Sequence, residues 1–343
     1  MAGIEFGVFD WIDRNSTPLG ELYNQRLNLL ERADRAGYHR YHLAEHHATP
    51  LGMAPSPSVF LAAAARQTQR IRLGPLVYLL PLYEPLRLIE EICMLDHLSG
   101  GRFELGVGRG VSPYELGAFG VDPANTQSQF DEALEVLVQG LTSSHLNFAG
   151  EHYQYNNVPM ALQPAQAPYP PLWYPTHNPT KIAYAARHGY HYVGLGPAFV
   201  LKEAVDEYRH QWQSHQGDAG RLNAHVDNPL MGAMRQVFVA DTDGEAEAMA
   251  RSAHADWYRS ITKLWHDHDD HSVDHLFSWD LGVQAGTILF GSPATVRGQV
   301  DKLLEESGCN YFIGSFAWGS LPMSASERSL ELFAEHVMPH YAS

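Results

Sequence analysis

The stretch Leu79–Gly110, LLPLYEPLRLIEEICMLDHLSGGRFELGVGRG, holds a strand end, a helix and a second strand. An apolar run closes at Pro81. Helical periodicity then spans Glu84 to Leu98, with Leu86, Ile89, Ile92, Cys93, Met94 and Leu95 crowding one side. Ser99-Gly100-Gly101 stops that helix, because glycine accepts the left-handed backbone of a helix end. The apolar run Phe103–Val107 follows and ends in Gly108-Arg109-Gly110. A glycine-lined, arginine-bearing turn thus sits at the carboxyl end of a strand, where parallel α/β folds place their binding sites.

The same alternation extends in both directions. Strands are expected at Ile4–Phe9, Tyr41–Leu43, Ile71–Leu80, Phe103–Val107, Leu172–Tyr174, Tyr192–Leu195, Gln236–Ala240 and Tyr311–Ser315. Helical patterns lie between them, as at Leu19–Ala36, Ser58–Ala65, Gln127–Leu141, Pro179–His188, Val200–His215, Gly244–Leu264 and Ser326–His336. Eight such units predict a (β/α)8 TIM barrel in one domain over residues 1–343. Residues 145–171 interrupt the rhythm with a small hairpin at Phe148–Tyr153 and a proline-rich extended stretch, read as a surface insertion.

Composition narrows the function. Lys+Arg number 23 against 39 Asp+Glu, a formal charge of -16. Nucleic acid and anionic membrane surfaces repel such a chain, so neither is an expected partner. An anionic ligand needs local positive charge. Cys93 and Cys309 are too few for a disulfide framework or a zinc site, and Cys93 falls on an apolar helix face. With no signal-peptide pattern and no membrane-length apolar run, a cytoplasmic location is expected.

Four regions carry chemistry. His46 and His47 follow the second strand, and histidine titrates near neutral pH. The residues alone leave two readings, a working acid/base or a structural pair, with Glu45 available to orient one imidazole. Gly106-Val107-Gly108-Arg109-Gly110 opens no obvious helix, so it is not a dinucleotide fingerprint. Close approach of backbone to a ring or phosphate suits it, with Arg109 supplying charge; a plain turn with a surface arginine is the alternative. Thr176-His177-Asn178-Pro179-Thr180-Lys181 begins a helix with Asn178 as N-cap, and its free N–H groups and Lys181 form an anion site unless they do ordinary capping. Phe9, Trp11, Tyr78, Phe316 and Trp318 lie near strand ends and are expected to line a substrate pocket. In Trp265–His275, His268, His271 and His275 have convergent spacing, but the run is so polar that it reads as a solvated loop and no metal is expected.

Three motifs in register resemble the bacterial-luciferase-like flavin-dependent monooxygenases: Ala44-Glu45-His46-His47, the LDHLSGGR block running into GVGRG, and the tail from Ser329 to Pro339. The resemblance implies reduced FMN delivered by a separate flavin reductase. It implies dioxygen, a flavin C4a-peroxide and a small apolar substrate of aldehyde or ketone type. It assigns His46 as catalytic acid/base. Gly108, Arg109, His177, Asn178, Thr180 and Lys181 fall at the flavin phosphate. Leu76–Val77 matches a non-prolyl cis peptide beneath the isoalloxazine. The loop after the seventh helix, 265–286, matches a mobile lid, with Gly282 and Gly286 as hinges. Two departures stand out: Gly108 occupies a slot that is cysteine in luciferase, and Gln127 one that is often a phosphate-binding arginine. The resemblance also implies a homodimer. Two other functions share the barrel: deazaflavin (F420)-dependent hydride transfer, and FMN binding without catalysis.

Overall fold

A computed structural model describes residues 3–176 and 178–341. The first half runs β1 (Glu5–Asp10), α1 (Leu19–Ala36), β2 (Arg40–Leu43), α2 (Pro57–Gln67), β3 (Arg72–Pro75), β4 (Tyr78–Leu79), α3 (Pro85–Ser99), β5 (Leu105–Gly108), α4 (Pro113–Ala118) and α5 (Thr126–Thr142). A hairpin of β6 (His145–Ala149) and β7 (Gln154–Pro159) follows, then β8 (Leu172–Pro175), α6 (Pro179–His188), β9 (His191–Gly194) and α7 (Ala198–His215). The chain ends with β10 (Met231–Val239), α8 (Asp243–His266), α9 (Trp279–Ala285), β11 (Ile288–Gly291), α10 (Pro293–Ser307), β12 (Tyr311–Ser315) and α11 (Met323–His336).

Parallel strands run β3-β2-β1-β12-β10-β9-β8-β5-β4. β4 resumes where β3 stops, and Leu73 bridges Phe103, so the ring closes. The eight expected strands are all present, the third split into β3 and β4 by a cis peptide at Leu76–Val77. β5 packs tightly against this break: a Cβ on Gly106 would strike the Pro75 carbonyl, and one on Gly108 the Val77 side chain. The strands are short apolar runs because both faces are covered, one by the interior and one by helices.

Several expectations change. β11 and α10 are a further strand–helix unit absent from the sequence reading; β11 pairs with the upper half of β10, at Gln236–Val239, while β12 pairs with Gly232–Gln236. The hairpin is longer than expected, with strands on both sides of the Phe148–Tyr153 region. Met94 stands 54% exposed and Leu98 40%; the buried face of α3 is Leu88, Ile89, Ile92, Cys93 and Leu95. The 265–286 segment is not a plain loop. It holds the end of α8, a 3-10 turn at Asp274–Phe277 and α9. Gly286 has φ +66 and caps α9, whereas Gly282 lies inside α9 where a Cβ would meet Ile288. Close packing, not hinge freedom, explains Gly282.

The interior has two unlike halves. Its lower, N-terminal end is ionic. Glu104 is fully buried and accepts hydrogen bonds from Arg40 Nε (3.1 Å), from Arg72 and from Trp173 Nε1 (2.6 Å). Burial alone would raise its pKa, but Arg40 and Arg72 outweigh that and hold it down at about 2. Beside it His42 and His191 are pushed down to about 3, chiefly by burial, and stay neutral. The upper half is mostly apolar: Phe9, Trp11, Leu76, Val193, Met234, Ile313 and Trp318 form one cluster with Trp257 of α8, and Gln236 and Ser315 are the buried polar residues on the same strand faces.

Candidate active site

The site lies at the carboxyl ends of the strands, above the apolar half. β2 pairs with β3 as far as Leu43 against Pro75, so the chain leaving β2 meets the Leu76–Val77 peptide. β5 pairs with β8 through Leu105–Leu172 and Gly106–Trp173. His46, Leu76–Val77, Gly108-Arg109 and the start of α6 therefore share one rim.

His46 is a quarter exposed, and its Nδ1 lies 3.0 Å from Glu115 Oε1. The same oxygen accepts the His47 backbone N–H at 3.0 Å. Glu115 is buried on α4, a six-residue helix missing from the sequence reading. Its signal is present: Ser112-Pro113-Tyr114-Glu115 combines an N-cap serine, a proline at the first helical position and an acid at the third. Ser112 Oγ accepts from Glu115 N at 3.3 Å. A helix does follow Gly110 after all.

Glu45 orients His47, not His46. Its Oε1 lies 2.8 Å from His47 Nε2, and its Oε2 accepts from the Leu79 N–H and the Tyr83 hydroxyl. Burial raises its pKa, while His47, Tyr83 and Leu79 pull it back.

The expected aromatic lining divides by strand parity. Phe9, Trp11 and Trp318 belong to the interior cluster; Phe9 meets Trp11 edge-on at 4.9 Å, and Trp11 meets Trp257 at 5.3 Å. Tyr78 and Phe316 do not face the pocket. Counting by twos from Tyr311 and Ile313 turns Phe316 outward, where it packs on Tyr38 and Phe333. Tyr78 follows the break at Leu76–Val77, which resets the alternation, and it bonds Ser58 beneath the helices at 2.7 Å.

Asn178 caps α6 as expected, its Oδ1 accepting from Thr180 N at 2.9 Å. The next two N–H groups, of Lys181 and Ile182, already reach the Asn178 carbonyl at 3.0 and 2.9 Å. The expectation of free N–H donors is thus corrected, because one asparagine satisfies all three. Positive charge remains. Arg109 is exposed and its charge acts on Tyr174 of β8; Lys181 Nζ lies 6.0 Å from the centre of the Tyr184 ring. Among the described residues neither cation has a carboxylate within 4.0 Å. Asp131, bonded to Gln127 Nε2 at 2.8 Å, faces the same two tyrosines, so two positive charges meet one negative. Residue 177, expected at this turn, lies outside the described residues. A phosphate-bearing ring system fits these residues, with the cations at one edge and the Leu76–Val77 turn, packed on Gly106 and Gly108, beside them.

The segment after α8, expected as a lid, packs on the aromatic cluster. Phe277 packs on Trp257 at 5.7 Å and Trp279 on His254 at 5.4 Å, closing the aromatic cluster from above. Thr49 Oγ1 donates to Ser260 O at 2.8 Å, tying the loop after β2 to α8.

A closed parallel ring with a rim site of this kind defines a TIM-barrel scaffold. The family model described as luciferase-like monooxygenase matches residues 4–311, and the chain belongs to that family. A relative known as uncharacterized protein y4wF of Sinorhizobium fredii is 39% identical over 94% of this chain and 93% of its own. The oxygenase component of a flavin-dependent trigonelline monooxygenase from Acinetobacter baylyi is 25% identical over 99% of this chain and 96% of its own. The crystal structure of monooxygenase RslO1 from Streptomyces bottropensis superposes with TM-score 0.87 at 26% identity, covering 99% of this chain and 100% of that one. More distant structures share the fold alone. One is the oxygenating constituent of 3,6-diketocamphane monooxygenase from Pseudomonas putida with FMN (TM-score 0.79, 20% identity, 99% of both chains). Another is the coenzyme F420-dependent tetrahydromethanopterin reductase of Methanopyrus kandleri (TM-score 0.71, 19% identity, 99% and 100%). The protein is therefore an enzyme, a flavin-dependent monooxygenase by family.

Proposed function

We propose that this chain is the oxygenase half of a two-component system. It takes reduced FMN from a separate flavin reductase and oxidises a small apolar aldehyde or ketone with dioxygen. The carrying observation is His46, fixed by a buried carboxylate at the mouth of an apolar aromatic interior. Reduced flavin, when bound, supplies the electrons that let one atom of dioxygen enter the substrate. Arg109 and Lys181 hold the phosphate as point charges, Leu76–Val77 and Gly108 support the ring, and His46 holds or moves the proton at its Nε2. Phe9, Trp11 and Trp318 accept the apolar substrate and exclude water, which otherwise diverts activated oxygen.

The test is a titration of the purified chain with reduced FMN, reduced riboflavin and reduced F420. Arg109→Ala is expected to weaken FMN by roughly tenfold and riboflavin hardly at all, since only FMN carries the phosphate. Tighter binding of reduced F420 replaces the reading with hydride transfer. FMN retention without consumption of oxygen, across an aldehyde and ketone panel, reduces the chain to a flavin carrier.

The same reading carries a homodimer. α2 packs beside α3, and Val59 (73% exposed) on one with Met94 and Leu98 on the other are exposed apolar side chains for a second copy to cover. Val59→Glu with Met94→Glu is expected to give a single-chain mass by light scattering; an unchanged mass removes this interface.

A further inference from the structure

The histidine-rich run after α8 is more ordered than a solvated loop. His266 ends α8, His271 lies in the following turn, and Asp274 opens the 3-10 turn. Asp274 Oδ1 lies 2.7 Å from His266 Nε2, and its Oδ2 lies 3.0 Å from His271 Nδ1. The two imidazole centres are 4.5 Å apart, and one ligand atom from each of the three residues lies within 4.8 Å of the others. This is not the His268, His271, His275 set that sequence spacing suggested. His268 instead donates Nδ1–H to the Leu264 carbonyl at 2.8 Å and stacks on Tyr114 with centres 4.1 Å apart.

We propose that His266 Nε2, His271 Nδ1 and an Asp274 oxygen form a binding site for one divalent transition-metal ion of the zinc type. Two imidazoles and one carboxylate are a donor set that zinc takes in tetrahedral geometry, with a fourth position left for water. Both imidazoles already turn a ring nitrogen toward one carboxylate, so the side chains need only spread to admit the ion.

The place of the site gives it a consequence. Asp270, between His266 and Asp274, accepts from the Tyr114 hydroxyl at 3.0 Å, and His268 stacks on the same ring. Tyr114 immediately precedes Glu115, which holds His46. An ion at the site secures the base of the cover and the helix that positions His46. Binding itself does not depend on the flavin reading, so the two fail separately.

The experiment is calorimetric titration of the chelator-treated, tag-free full chain with zinc chloride. His271 and His275 are both exposed, so neither His271→Ala nor His275→Ala disturbs the fold. One ion per chain is expected for the wild type and for His275→Ala, with at least ~tenfold weaker binding for His271→Ala. Absence of stoichiometric uptake by the wild type overturns the site. So does equal weakening by both variants, which means diffuse binding along the run, or no weakening by His271→Ala.

Discussion

One oxygen of Glu115 serves two donors, the His46 ring and the His47 backbone. A carboxylate at Nδ1 keeps a proton there and leaves Nε2 free, the nitrogen that does the work on the proposed reading. On that reading Glu115 is a positioning residue, acting through His46. His46→Ala is expected to lower kcat by about 10²-fold, the range for a lost general acid/base, while flavin affinity stays within about tenfold. Glu115→Gln keeps the shape of the carboxyl group and removes its charge. A smaller loss of kcat is expected, about tenfold, with KM unchanged. Steady-state kinetics read both, and unchanged turnover in His46→Ala removes its role.

At the scale of elements, the cover made by the 3-10 turn and α9 rests on aromatic contacts. Phe277 and Trp279 reach down to Trp257 and His254, and Trp279 also stacks on Phe290 of β11 at 5.3 Å. Removing residues 274–285 exposes the cluster to solvent. Hydrogen peroxide released per substrate oxidised is expected to rise several-fold, measured by a coupled peroxidase assay. Unchanged coupling means this segment is no lid. The element also shows where sequence reading runs out. β11 is four residues, Ile-Leu-Phe-Gly, only two residues after α9, so no turn-rich stretch sets it apart as a strand. α4 is six residues, and only its capping serine, proline and first-turn acid announce it.

Across the whole molecule, the ring of strands was legible because each is an apolar run followed by a helix with clear stop residues, as at Gly100 and Gly189. The rim positions of His46 and Arg109 were legible because both follow strand ends. Tyr78 and Phe316 were misplaced because being near a strand end says nothing about which way a side chain turns; alternation decides that. Glu115 was missed because its partner lies 69 residues away. Likewise, nothing local in the sequence ties Glu104 to Arg40, yet that pair anchors the lower end. The folded Glu104 has its pKa depressed to about 2. Its stabilisation is therefore full above the unfolded carboxyl value and is lost as pH falls from there toward about 2. Glu104→Gln is expected to cost about 3 kcal/mol near neutral pH, shrinking below pH ~4.5. Denaturant melts across that range measure the difference; a gap that stays constant with pH contradicts the ion-pair account.

That ionic floor has a kinetic corollary. With Trp173, His42 and Tyr311 fully buried above the Glu104 cluster, passage through the lower end is blocked and reactants enter at the rim. On the reading proposed here, whichever molecule sits deeper must enter first and depart last. Inhibition patterns should accordingly be those of a compulsory queue, with neither reactant able to slip past the other from below.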